Sequence, residues 1–173
     1  MHPNAEVVRR APLFAPLDDE AAEALLASMT QVEYNRGQIL FHEGEPGDRL
    51  YVIVAGKVKL GRTSTDGREN LVTVLGPGEM LGELSLFDPG PRSLTATAVS
   101  DTVLAGLGHT DLQALLGQRP DVGRHMLQSL ARRLRRTNDT LADMVFSDVP
   151  GRVAKALLDL SQRFGRQTDS GLL

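Results

Sequence analysis

No cysteine occurs among the 173 residues, which removes disulfides, iron–sulfur clusters and thiolate metal sites. A charge excess of one sign is missing too. The 19 Lys and Arg stand against 22 Asp and Glu, a net charge of −3, which does not suit a domain that alone covers a phosphate backbone. No apolar run approaches the roughly 20 residues that a membrane helix needs. The opening Met1-His2-Pro3-Asn4 leads into charged residues and not into a signal peptide. These absences predict a soluble, cytoplasmic protein with no membrane partner. The four histidines, His2, His42, His109 and His125, are scattered without metal-ligand spacing, and no nucleophile, base and acid form a set. Neither a metal nor an enzymatic activity is expected. The length allows one good-sized domain, or one domain plus an appendage.

What the sequence does contain is concentrated in one connection, Gly82-Glu83-Leu84-Ser85-Leu86-Phe87-Asp88-Pro89-Gly90-Pro91-Arg92-Ser93. Arg92 offers a fixed positive charge, Ser93 a neighbouring hydroxyl donor, and Gly82 opens a candidate helical turn. A guanidinium grips two phosphate oxygens at once, and the free N–H groups of a helix start favour an anion. Gly82 lets the backbone approach a ligand with no Cβ in the way. Glu83 would repel a phosphate unless it faced another part of the ligand, and a carboxylate suits a ribose hydroxyl. The implied ligand carries both a phosphate and a free sugar hydroxyl, as a nucleotide does. The plain alternative is a surface turn punctuated by Pro89-Gly90-Pro91, with Arg92 and Glu83 as solvated charges.

Along the chain, Leu17 to Met29 predicts a short helix capped by Asp18, with Asp19 and Glu20 at the positive end of its dipole and Leu25, Leu26 and Met29 as its buried face. From Gln31 to about Gly108 the pattern changes to short apolar runs separated by glycine-rich turns, which argues for an antiparallel sandwich or barrel. Asp66-Gly67 suits a hairpin turn between two of the strands. Thr110-Asp111-Leu112-Gln113 has the form of a capping box and starts a helix to about Gln118. Pro120 then opens a long helix to about Ser147.

Leu127, Leu130, Leu134, Leu141 and Met144 fall in steps of three and four if Thr137 fills the gap. That is an a/d heptad seam and predicts a homodimer through this helix. Arg132-Arg133 and Arg135-Arg136 flank it, more in keeping with a solvated face than with a nucleic-acid patch. Thr137, with Asn138 at the seam's edge, is either a register-setting polar residue or half of a base-reading pair. Pro150 and Gly151 break helix continuity, and Asp148 can cap a further helix over 153–164, with Gly165 as its C′ residue. A polar linker follows from Arg166 to Gly171.

Taken together these motifs resemble the catabolite activator and cyclic AMP receptor protein family. Gly82-Glu83-Leu84 and Arg92-Ser93 match the two ends of its phosphate-binding cassette. Gly44-Glu45-Pro46-Gly47-Asp48, Gly56 before Lys57-Val58-Lys59, and Gly76-Pro77-Gly78-Glu79 recur in the family's order. The resemblance covers nearly the whole chain. It implies an α+β fold: an antiparallel β-roll of about eight strands, a double-stranded jelly-roll-like barrel, with flanking helices and a long C-terminal dimerisation helix. By resemblance Glu83 takes the ribose 2′-hydroxyl, Arg92 and Ser93 hold the cyclic phosphate, Thr137 bonds the adenine amino group, and Asn138 approaches from the opposite protomer. Asn138 stands where the family has serine. The implied effector is cyclic AMP, in a transcription regulator that binds DNA through a C-terminal helix-turn-helix domain and works with RNA polymerase. The family's oxygen-sensing branch is excluded, because its cluster needs cysteines.

The resemblance divides the chain into an N-terminal helix and roll (1–109), a short helix with the dimerisation helix (110–147), and a hinge at Asp148, Pro150 and Gly151 leading into the first DNA-binding helix (148–173). A complete helix-turn-helix domain needs roughly 50 further residues, so either a truncated regulator or a natural sensor fragment is implied, and the truncated regulator is expected. Two alternatives stay open: the same fold with another effector or none, and a cupin-type metal enzyme.

Overall fold

The structure, a computed structural model, describes residues 5–63, 69–88, 90–146, 149–165, 167–168 and 171–172. Two compact units make up the chain, residues 1–126 and 127–173. In the first, helices α1 (Ala5–Arg10) and α2 (Asp19–Ala27) precede eight strands: β1 (Thr30–Tyr34), β2 (Ile39–Phe41), β3 (Arg49–Ala55), β4 (Val58–Thr63), β5 (Glu69–Leu75), β6 (Met80–Leu81), β7 (Thr95–Ala98) and β8 (Thr102–Gly108). A single turn, α3 (Leu84–Phe87), interrupts them, and α4 (His109–Gln118) follows.

The strands form two antiparallel four-stranded sheets, in the orders β1-β8-β3-β6 and β2-β7-β4-β5. Alternation along β3 explains how they stack. Side chains two apart share a face, so Leu50 and Val52 turn to a helical layer while Tyr51 and Ile53 turn to the second sheet. The layer between the sheets is built from Phe41, Ile53, Val58, Leu60, Leu75, Leu81, Ala96 and Leu104. On the other side of the first sheet, Val8, Leu13, Phe14, Leu25, Leu112, Leu115, Val122 and Met126 pack with Leu50, Val52 and Leu107. Strand β8, apolar on both faces, is the shared wall. The expected antiparallel roll with flanking helices is present, but the two sheets do not close into the expected barrel, because each keeps its own edge strands.

Several local expectations meet corrections. Helix α2 is capped by Asp18, whose Oδ1 accepts from Ala21 N at 2.9 Å; Leu25 is buried, whereas Leu26 and Met29 are half-buried and Ala21 and Ala22 take up the rest of the inner face. Helix α1 was not expected. It and the turn after it place Val8, Ala11, Leu13 and Phe14 in the core. Thr110 is not the cap of α4, which starts at His109 behind Gly108 with no side-chain cap. The Asp66-Gly67 turn lies outside the described residues.

Helix α5 (Pro120–Phe146) has Pro120 as its first residue, as expected. Its start belongs to the first unit, where Val122 and Met126 are buried. In the second unit α6 (Val149–Phe164) begins four residues earlier than the sequence suggested. Pro150 and Gly151 therefore lie inside its first turn, where a proline's missing N–H costs nothing. Asp148 lies outside the described residues. Gly165 N donates to Ser161 O at 2.8 Å and closes the helix. Part of the expected polar linker pairs instead as a two-residue ladder, β9 (Gln167–Thr168) with β10 (Gly171–Leu172).

Candidate ligand-binding site

The cassette begins where β6 ends. Gly82 has φ +79°, a left-handed conformation that costs an L-residue about 1–2 kcal/mol, and it turns the chain from β6 into α3. A Cβ there would collide with Arg92 Nη1 and lie 2.8 Å from the Arg49 carbonyl oxygen. Glu83 heads α3 and is buried, as is Ser85. Leu84 is exposed and so is Ser93.

Arg92 is the centre of the arrangement. Only 5% of its surface is exposed. Its backbone is tied to the turn after β2: Gly44 N donates to Arg92 O and Arg92 N donates to Glu45 O, both at 2.8 Å, beside a bridge between Pro46 and Pro91. Its side chain runs inward. Nη1 donates to Gly82 O at 3.1 Å, and the guanidinium carbon sits 4.3 Å from the centroid of the Phe41 ring. Gly47 is the third contact: a Cβ on it would lie 2.7 Å from Arg92 Nε and 2.6 Å from Ser85 Oγ. The turn can close against the guanidinium only because that Cβ is absent.

Burial lowers the pKa of Arg92 first, and Tyr51, Asp48, Glu83 and Glu45 act in the opposite direction by favouring the charged form. The guanidinium remains a cation at neutral pH all the same. Its Nε is buried and has no hydrogen-bond partner among the described residues. A buried unpaired donor of this kind costs about 1–3 kcal/mol, and more on a charged group. An anionic oxygen delivered to Nε would remove that cost. Buried charge, an unspent donor and two glycine clearances fit a phosphate ester, and the buried Glu83 carboxylate next to them fits a sugar hydroxyl.

The structure thus brings together Gly82, Glu83 and Arg92, and adds three residues that sequence reasoning missed as site members: Phe41, Gly47 and Ser85. Gly47 stands in one of the family's glycine motifs and could have been found there. Phe41 carried no local signal. Thr137 and Asn138 lie in the second unit and are exposed. Along the same helix Leu127, Leu134 and Leu141 are 68%, 62% and 55% exposed and Leu130 is half-buried. The side chain of Met144 lies outside the described residues. Among those residues no three His, Cys, Asp or Glu side chains group as metal ligands, and no helix is long and apolar enough to cross a membrane.

Fold and site together define a small-molecule sensor module in which a roll holds one inward arginine against a glycine-framed turn. Residues 31–119 match the cyclic nucleotide-binding domain family, and the chain belongs to it. It is 50% identical over 167 residues to the CRP-like cAMP-activated global transcriptional regulator of Mycobacterium tuberculosis, covering 96% of this chain and 75% of that protein. A solved N-terminal domain of a transcriptional regulator from Streptomyces coelicolor is 59% identical at a TM-score of 0.69, over 83% of this chain and 99% of that one. The Thermus thermophilus catabolite activator protein is 39% identical at a TM-score of 0.71, over 90% and 75% respectively. These family relatives are transcription regulators, not enzymes, and the cupin alternative is set aside on that ground.

Proposed function

We propose that this chain is the effector-binding and dimerisation part of a cyclic AMP-responsive, DNA-binding transcription regulator. The observation that carries the proposal is the inward Arg92 with its unpartnered Nε. Arg92 and Ser93 hold the cyclic phosphate, and Glu83 takes the ribose 2′-hydroxyl. Thr137 and Asn138 read the base. That assignment rests on the family resemblance and on relatives named for their activation by cyclic AMP. A homodimer forms through Leu127, Leu130, Leu134, Leu141 and Met144. The exposure of three of these leucines and their heptad spacing support it. DNA is bound through the helix-turn-helix domain that the family resemblance implies, with RNA polymerase as the further partner; the match covers 75% of the Mycobacterium tuberculosis regulator, which is longer. The ligand acts by binding one arrangement of the dimer better than the other, since only differential affinity shifts such an equilibrium.

Calorimetric titration with cyclic AMP and cyclic GMP tests the proposal. Arg92→Ala should lose affinity by the equivalent of about 1.5–3 kcal/mol or more, the worth of a hydrogen bond to a charged group, with the roll still folded. Equal affinity of wild type and variant would reject the cassette assignment. Stronger binding of cyclic GMP would keep the site and change the effector.

A further inference from the structure

We infer that Phe41 is a positioning residue of the site: its ring is the shelf that holds the Arg92 guanidinium inward, with Nε presented to the ligand before any ligand arrives. The inference deepens the nucleotide reading above and rests on it.

Three observations point to the ring. The Arg92 guanidinium carbon lies 4.3 Å from its centroid, well inside the distance at which a cation is drawn to an aromatic face. Phe41 is itself fixed, buried at the end of β2 and stacked on Tyr51 of the opposite sheet with centroids 6.4 Å apart and planes at 22°. The contact thus spans the two sheets. Finally, Arg92 keeps its buried position although Nε has no partner among the described residues. Carboxylates close enough to favour its charge, Asp48, Glu83 and Glu45, are at hand, and the first and last of the three are exposed to solvent. A free arginine would turn toward them and hydrate its donors. The ring and the Gly82 carbonyl keep it from doing so.

The consequence is preorganisation. An interaction made equally in the free and bound states changes no affinity, but a shelf that stops the free arginine from relaxing elsewhere does. Without the ring, binding must first pull the guanidinium away from its alternative partners. An isosteric aliphatic residue would fill the space between the sheets and leave the cation without its face.

The test replaces Phe41 with leucine and, separately, with phenylalanines carrying one, two and three ring fluorines, which keep the shape and progressively drain the negative face. Cyclic AMP affinity is read by calorimetry, folding by thermal unfolding, and the Arg92 Nε–H resonance by nitrogen-15 spectra of the ligand-free protein. We expect a stepwise fall across the fluorine series to about tenfold, the order that a desolvated cation–π contact carries, with unfolding temperatures unchanged. In free wild type the Nε–H signal should be shifted by the ring and protected from solvent, and in Phe41→Leu it should lose both properties. A flat fluorine series would overturn the inference even if Phe41→Leu bound weakly, because a packing role ignores ring charge. An Nε–H signal of the free protein identical in wild type and Phe41→Leu would overturn it as well. A wild type that binds no cyclic nucleotide while its Nε–H shows the ring shift would instead overturn the nucleotide reading and leave the shelf standing as a feature of the free protein.

Discussion

In the two-sheet region Leu50, Val52, Leu104 and Leu107 are fully buried, and the charge of Arg92 is taken inside with them. On the long helix, by contrast, Leu127, Leu134 and Leu141 stand more than half exposed. The first region buries a continuous core, leaves Ile39, Leu71 and Val72 exposed on the edge strands β2 and β5, and tolerates an unpartnered polar atom inside. The second presents leucines to water at a coiled-coil spacing. The first sheet, covered on both faces, closes its apolar surface using its own chain. Among the described residues the leucines of the heptad stripe stay exposed, and an exposed stripe of that kind marks an interaction surface. One region builds its core from its own chain, and the other leaves its leucines at the surface.

That contrast can be broken most sharply at Leu134. Burying a leucine side chain contributes about 1.5–3 kcal/mol, and a symmetric seam buries it twice, so Leu134→Glu should convert a dimer into a monomer in sedimentation equilibrium while the roll keeps its unfolding temperature. Persistence of the dimer would remove this helix as the interface. The opposite experiment strikes the closed region. Gly82→Ala places a Cβ against Arg92 and the Arg49 carbonyl at a φ of +79°, costing about 1–2 kcal/mol from the backbone alone. Its unfolding temperature should fall by several degrees and its nucleotide binding should be lost, with the dimer intact. Normal binding by this variant would show that the cassette does not depend on the left-handed turn.

Legibility in the sequence follows the same division. Local signals were readable: the Gly82 turn, the Asp18 cap of α2, the Pro120 start of α5 and the short apolar runs of the strands all depend on residues close in the chain. Contacts across the fold were not. Phe41 meets Arg92 only because β2 and the cassette are brought together by the folded sheets, and no spacing rule connects those two positions. Helix α1 escaped notice because six residues carry too little periodicity, although Val8, Leu13 and Phe14 were apolar enough to suggest a buried start. Thr110 misled for the opposite reason. It had the form of a cap, but Gly108 at the end of β8 already turns the chain into α4. The ends of the cassette were legible as a motif, and the contact of Phe41 with Arg92 exists only in the folded chain.

A smaller effect sharpens the contrast at Thr137, a hydroxyl among the leucines of the exposed region. If it reads the base, Thr137→Ala should cut the preference for cyclic AMP over cyclic GMP by about three- to tenfold, the worth of one hydrogen bond near 1 kcal/mol, and leave the dimer unchanged. Titration of both nucleotides gives the ratio directly. A ratio equal to that of wild type, combined with an altered dimer constant, would make Thr137 a register-setting residue of the seam.

The smallest expected effect lies at the edge of the closed region, where Arg119 joins two helix starts. It pairs with Asp18, the cap of α2, and its Nε lies 3.3 Å from Asp121 Oδ1 in the first turn of α5; Arg9 pairs with Asp19 nearby. The hydrogen bonds from Arg119 come first among the causes that hold both the Asp18 and the Asp121 carboxyls below the ordinary carboxylate range. A carboxyl depressed in the folded state contributes stability above its unfolded pKa and loses it as pH falls through the folded one. Arg119→Gln should therefore unfold at a slightly lower temperature than wild type at pH 7, and the gap should close as pH falls below the ordinary carboxylate range, once the carboxyls are protonated in both proteins. Because the pair is solvent-exposed, 1 M salt should narrow the gap as well. Thermal unfolding between pH 7 and pH 2 checks this, and a gap that stayed constant over that range would assign the role of Arg119 to packing of its aliphatic stem and not to its charge.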